Sequence, residues 1–195
     1  MVIGITGNTG SGKTIIAGFF RQWGGYVISA DRMGWEVLLD DRVIEKLRGI
    51  FGDGIIKDGK VDRKKLGDIV FEDQEQLLKF NKIVHPTLLL ELRETIKNCK
   101  KDIVIVDAAL ILEWGIKDWF DYIILVSSKL SIIHPRLKRL GIPDEVIQGR
   151  IKFQMDAGEA EGCADFIIEN NGSIKKLRLE ARNIWEKIIK EKDRK

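Results

Sequence analysis

Beginning at Gly7, the chain reads Gly7-Asn8-Thr9-Gly10-Ser11-Gly12-Lys13-Thr14, a G-x-x-x-x-G-K-T string. Val2, Ile3 and Ile5 before it form the branched apolar run of a buried strand, and the TIIAGFF pattern after Lys13 opens a helix. A glycine-rich turn between strand and helix is the setting of a phosphate-binding loop. The glycines let the backbone curl so that successive N–H groups face phosphate oxygens, and the helix N-terminus adds its positive end. The string makes Gly7, Gly10, Ser11, Gly12, Lys13, Thr14 and Ile15 the candidate nucleotide contacts. In a loop of this kind Lys13 reaches the β- and γ-phosphates and Thr14 ligates Mg²⁺. The competing reading, a glycine-rich turn that happens to contain Lys-Thr, explains neither the strand before it nor the helix after it.

Four further apolar runs, Tyr26 to Ser29, Ile103 to Val106, Tyr122 to Val126 and Phe166 to Ile168, are short and nearly continuous, as strands covered on both faces are. Helical patterns fill the gaps, giving β-α-β, a long helical region, then β-α-β-α-β-α. Such alternation predicts an α/β protein, a three-layer fold around a parallel five-stranded sheet. At 195 residues the chain suffices for one domain with a sizeable insertion. A net charge of +3 gives no argument for a nucleic-acid partner. Cys99 and Cys163 lack metal or redox spacing and read as free thiols of a reducing compartment. The longest apolar run, Ile103 to Leu112, is interrupted by Asp107 and too short to span a membrane. The first strand starts at once, leaving no room for a targeting peptide, so the expected location is cytoplasmic. The scattered tryptophans define no patch, and the sequence sets no oligomeric state.

Two intervals stand out. From Asp31 to Lys101 the chain is too long for one crossover helix and contains the turn-rich FGDGIIKDGKVDR. In P-loop kinases a helical insertion at this position faces the phosphoryl acceptor. The segment from Lys129 to Gly158 carries Arg136, Lys138, Arg139, Arg150 and Lys152. It is either a solvated basic helix pair or a lid that brings arginines over a transferring phosphate. Asp31 follows the second strand, at the sheet edge where open α/β proteins bind ligands, and can accept a proton from an acceptor hydroxyl; capping the next helix is its other reading. Asp107 ends the third run as a candidate Mg²⁺ carboxylate. Glu113 stands six positions on and reads either as a residue of the same face or as a surface salt bridge. His85 and His134 have no second ligand at metal spacing and read as packing or capping residues.

In order, these segments resemble the dephospho-CoA kinase family over nearly the whole chain. TGNTGSGKT resembles the family's opening, VISAD its second strand ending in Asp31, and FGDGIIKDGKVDRKKLGDIVF its insertion, with Arg63 and Leu66 on the matching Arg and Leu. IVHP matches the His-Pro at His85 and Pro86, ALILE places Glu113 on the motif's acid, Arg139 precedes Gln154 as in the lid pattern, and ADFIIENNG resembles the stretch beside the adenine.

The resemblance implies MgATP-dependent phosphorylation of the ribose 3′-hydroxyl of dephospho-coenzyme A, with ATP and dephospho-coenzyme A as the partners and neither nucleic acid nor membrane involved. It implies Asp31 as base or orienter, Lys13 and Arg139 on the migrating phosphoryl group, Thr14 on Mg²⁺, and Asn170 and Gly172 near the ATP base. Asp31, Arg63, Leu66, His85 and Glu113 would hold the acceptor. It divides the chain into a core (1–34, 102–128 and 159–195), an acceptor-binding insertion (35–101) and a small helical lid (129–158). Three positions depart from the family pattern. Ser29 replaces the first acid of its Asp-Ala-Asp, Ala109 replaces a proline, and Pro135 replaces a lid arginine. The proline predicts that the lid helix starts or kinks at 135, with Arg136 as the substitute one position around the helix. Two other readings remain: another P-loop nucleotide or small-molecule kinase, and a degenerate nucleotide-binding regulatory protein. A guanine-recognising N-K-x-D is absent, and the NNG at 170–172 does not supply one.

Overall fold

A computed structural model of the chain describes residues 1–144, 146–148 and 157–194. Two compact units form: Met1–Ser29, Cys99–Ile142 and, of the described residues, 157–194 make the first, and Ala30–Asn98 with 143, 144 and 146–148 the second.

In the first unit the five apolar runs become strands β1 (Val2–Thr6), β2 (Tyr26–Ser29), β5 (Val104–Asp107), β6 (Tyr122–Ser127) and β7 (Phe166–Glu169) of one sheet, in the order β2-β5-β1-β6-β7. Every neighbouring pair is parallel, and Asp107 stands in register with both Ile5 and Ser29. The loops leaving β1 and β5 therefore emerge side by side at the carboxyl edge, the ligand edge of an open α/β sheet. Helix α1 (Lys13–Gln22) and the long α8 (Ile174–Lys192) form the core with β1, β5, β6 and β7. Leu177, Ala181, Ile184, Trp185 and Ile188 recur at helical spacing and meet Ile16, Ala17, Phe19 and Phe20 of α1. Two of the five tryptophans are accounted for here, with Trp185 5.0 Å from the Phe20 ring and 6.3 Å from Trp23 between centroids. Helices α6 (Leu130–Arg139) and α7 (Ala157–Cys163) stand in sequence between β6 and β7.

The expected helix between Asp107 and Tyr122 does not form. In its place come turns over 109–115 and a 3₁₀ turn at Lys117–Trp119. A single helical bond, Trp114 N to Leu110 O at 2.8 Å, is cut off by Gly115 at φ 65°, while Ile111 and Ile116 bury as plugs. The apolar spacing of Leu110 to Trp114 mimics a helix, but its hydrophobes are spent on filling a short crossover.

The second unit is built on α5 (Gln74–Asn98), against which α2 (Ala30–Val37), α3 (Asp41–Phe51) and α4 (Arg63–Glu72) pack. Leu77, Val84, Leu88 and Leu92 form the buried stripe of α5. Each fully buried leucine contributes roughly 1.5–3 kcal/mol, so the unit has a core of its own. Asp40 caps α3 through the Arg42 amide, and Asp62 caps α4 through the Lys64 and Lys65 amides. The turn-rich segment folds as an antiparallel hairpin of β3 (Ile56–Lys57) and β4 (Lys60–Val61), with Asp58 at φ 52° and Gly59 at φ 74°. An Asp-Gly pair in this conformation matches the twist of two antiparallel strands.

Candidate active site

The loop after β1 carries its positive-φ glycines where a side chain has no room. A Cβ on Gly7, at φ 131°, would stand 2.2 Å from the Val126 carbonyl oxygen, and one on Gly12, at φ 103°, 2.3 Å from Asn170 Nδ2. Gly12 also occupies the N-cap of α1, so no side chain accepts from the first-turn amides, and that turn contains no acid. No capping side chain competes with an anion at this helix terminus, and no acid in the turn repels one. Lys13 folds over the loop and donates from Nζ to the carbonyls of Gly7 at 2.7 Å and Asn8 at 3.1 Å. It is only 7% exposed, and these carbonyls stabilise its charge. Ser11 Oγ is buried without a hydrogen-bond partner among the described residues. Ile15 is exposed on α1.

Beside the loop, the Thr14 hydroxyl donates to Asp107 Oδ2 at 2.8 Å. Register places Asp107 there, because it ends the strand paired with β1. A hydroxyl and a carboxylate are hard oxygen donors, and Mg²⁺ is taken by one or two such groups together with substrate phosphates. This pair fits that demand; among the described residues no cluster of three or more His, Cys, Asp or Glu could hold a metal by itself.

Of the two expectations for Pro135, a helix start there is not met: α6 starts at Leu130 and carries the proline in its interior. The proline lacks one amide donor, and the first bonds of the helix run from Ile132 N and Ile133 N to Lys129 O, at the junction with β6. There Lys129 N donates to Asn171 Oδ1 at 2.9 Å, and its Cα geometry is extended. Arg136 points back to the phosphate-binding loop. Its Nη1 lies 3.4 Å from Gly10 O and 3.2 Å from Ser128 Oγ, and its Nη2 3.1 Å from Asn170 O and 3.4 Å from Asn170 Oδ1. Asn170 is 4% exposed and donates from Nδ2 to Ser11 O at 2.7 Å. The Arg139 side chain is exposed and makes no hydrogen bond or ion pair among the described residues. Gly172 is exposed just before the Ser173 cap of α8. Arg150, Lys152 and Gln154 lie outside the described residues.

Glu113 is exposed on the turns after β5. Those turns are tied to the sheet by Thr6 Oγ1, which donates to Ala109 O at 3.2 Å, so the position that departs from the family proline is held through its carbonyl.

In the second unit Asp31 is exposed in the first turn of α2. Arg63 begins α4 and lies 4.6 Å over the Trp35 ring, its Nη2 3.4 Å from the Trp35 carbonyl. Leu66 is 3% exposed and belongs to the core. His85 is half-buried within α5, and burial lowers its pKa from the usual 6.5. Trp35 and Ser128 were missed in the sequence. Ser128 had a signal, a polar residue just past a buried strand at the ligand edge, whereas nothing in the sequence ties Trp35 to Arg63.

A family model described as dephospho-CoA kinase matches residues 1–176. A dephospho-CoA kinase of Aquifex aeolicus is 35% identical over 192 residues, covering 97% of this chain and 98% of that protein. Among solved structures, one from Thermus thermophilus superposes with a TM-score of 0.78 at 29% identity, covering 96% of this chain and 97% of that one. A dephospho-CoA kinase from Campylobacter jejuni gives 0.70 at 26% identity, with 98% of each chain covered.

Proposed function

This chain belongs to the dephospho-CoA kinase family, and we infer that it is an ATP-dependent phosphotransferase that moves the γ-phosphate of ATP to the ribose 3′-hydroxyl of dephospho-coenzyme A, completing coenzyme A. The family match over residues 1–176 carries the reading, because it spans the phosphate-binding loop, the insertion and the lid segment alike. The donor-side geometry supports it. A lysine held over glycine-rich backbone and a Thr–Asp oxygen pair supply what phosphoryl transfer demands of a protein, which is position and electrostatics more than covalent chemistry.

The roles follow from the chemistry of each group. Backbone amides of the loop and the first turn of α1 bind the phosphates. Lys13 exchanges its carbonyl partners for phosphate oxygens and stabilises the migrating charge. The Thr14 hydroxyl and the Asp107 carboxylate would hold Mg²⁺, which would supply positive charge against the phosphates. Arg139, whose side chain has no hydrogen-bond or ion-pair partner among the described residues, is the lid cation that meets the developing charge. Asp31 accepts the hydrogen bond, and then the proton, of the acceptor hydroxyl. Arg63, His85 and Glu113 hold the acceptor, while Leu66 acts through the packing of α4. We place the enzyme in the cytoplasm, in keeping with its unpaired cysteines and with the absence, among the described residues, of any helix long and apolar enough to cross a membrane.

Incubation with MgATP and dephospho-coenzyme A should release ADP and give coenzyme A, with the new phosphate located on the 3′-oxygen by phosphorus NMR. A product phosphorylated elsewhere, or ATP hydrolysis without transfer, contradicts the reading.

A further inference from the structure

We propose that Arg136 is a positioning residue for the triphosphate cradle, acting through Asn170 rather than on the substrate. The inference rests on the donor-site reading above. Its basis is one guanidinium shared among three segments, the phosphate-binding loop at Gly10, the exit of β6 at Ser128 and the exit of β7 at Asn170, which the Ser128 hydroxyl, 3.4 Å from Ser11 O, also links. The Ser128 hydroxyl is drawn into the same knot, donating to Asn170 O at 2.7 Å.

The decisive atom is the side-chain amide of Asn170. Its Nδ2 donates to Ser11 O at 2.7 Å while its Oδ1 lies 3.4 Å from Arg136 Nη2. Rotating the amide by half a turn would set its NH₂ against a guanidinium that has only donors, and its carbonyl oxygen against the Ser11 carbonyl, which has only lone pairs. Arg136 therefore selects the one orientation that pins the loop between Gly10 and Gly12, where an added Cβ on Gly12 would already run into the same amide. Lysine cannot replace this fork, since a single ammonium cannot span the Gly10 carbonyl, the Ser128 hydroxyl and both oxygens of Asn170 at once.

The arrangement also bears on the arginine absent at Pro135. Arg136 does not stand in for it as a free lid cation, because its donors face the loop and strand exits; the phosphoryl-directed charge of α6 is left to Arg139. The one-residue offset on the helix places Arg136 on the inward side, next to buried Leu137.

The test is steady-state kinetics and direct ATP binding for Arg136→Met, Arg136→Lys, Asn170→Ala and the Arg136→Met/Asn170→Ala double variant, with each melting curve recorded. Arg136→Met should raise KM and Kd for ATP by about tenfold, the factor equivalent to ~1.4 kcal/mol, with kcat changed by less than about threefold and KM for dephospho-coenzyme A unchanged. Arg136→Lys, which keeps the charge and the stem, should recover only part of the loss. In the Asn170→Ala background the Arg136→Met penalty should shrink markedly. An equal penalty in both backgrounds, full recovery with lysine, or a loss confined to kcat overturns the proposal. If Arg136→Met does not fold, the lysine variant decides alone: unaltered ATP affinity contradicts the positioning role. Turnover of dephospho-coenzyme A by the unaltered enzyme reports separately on the donor-site reading, so the two can fail independently.

Discussion

Asp31 and Arg139 share one property: both are exposed, and neither side chain makes a hydrogen bond or ion pair among the described residues. A surface charge without a partner contributes little to stability, so removing it should cost function and leave the fold intact. Asp31→Asn keeps the shape but loses the proton acceptor, and kcat should fall by ~10²–10⁴ with ATP affinity preserved. Arg139→Ala should lower kcat by ~10³, the scale of a transition-state arginine. Unchanged turnover in either variant contradicts the assigned role. His85 makes a prediction of the opposite kind. Burial depresses its pKa below 6.5, so as pH drops through the unfolded value near 6.5 the unfolded chain takes up a proton that the folded chain refuses. Stability should therefore decline from about pH 7 downward until the folded value is reached. Urea midpoints measured between pH 7.5 and 5.5 should fall more steeply for the wild-type protein than for His85→Gln, and parallel slopes rule out the buried-neutral account.

Among the elements, the strands were readable because parallel strands covered on both faces need branched apolar residues at every position, and Val104 to Asp107 or Tyr122 to Ser127 show no other pattern. The crossover after β5 was not, because Leu110 to Trp114 carries helical spacing while Gly115 and two buried isoleucines turn it into a plug. Nor was the direction of Arg136: helical position gives the side of α6 it occupies, but its partners Gly10 and Asn170 lie 126 and 34 residues away in sequence. The same limit applies to Asn170, placed near the base by resemblance, whose amide is committed to Ser11. The glycines of the loop show the converse, since their need is local and visible in the motif. Gly12→Ala puts a Cβ at φ 103° and 2.3 Å from Asn170 Nδ2. It should cost at least ~2 kcal/mol of stability and weaken ATP binding. Calorimetric melts with and without ATP check both, and a variant with unaltered Tm and ligand-induced shift refutes the packing argument.

At the scale of the molecule, the residues proposed for the chemistry fall in both compact units. Lys13, Thr14, Asp107 and Arg139 belong to the first and Asp31, Arg63 and His85 to the second. Donor binding is legible from one unbroken string of sequence. The residues proposed for the acceptor are single residues in separate elements, each with an ordinary structural alternative, and one of them, Leu66, is buried in the core. The acceptor is therefore the point on which the account is most exposed. The most direct measurement is kcat/KM, with saturating MgATP, for dephospho-coenzyme A beside a panel of nucleoside monophosphates and small hydroxylated acids. The account predicts a preference for dephospho-coenzyme A of at least ~10³-fold, the discrimination reached when a site built to pair with polar groups meets an acceptor lacking them. Comparable or faster phosphorylation of any other acceptor in the panel would contradict it.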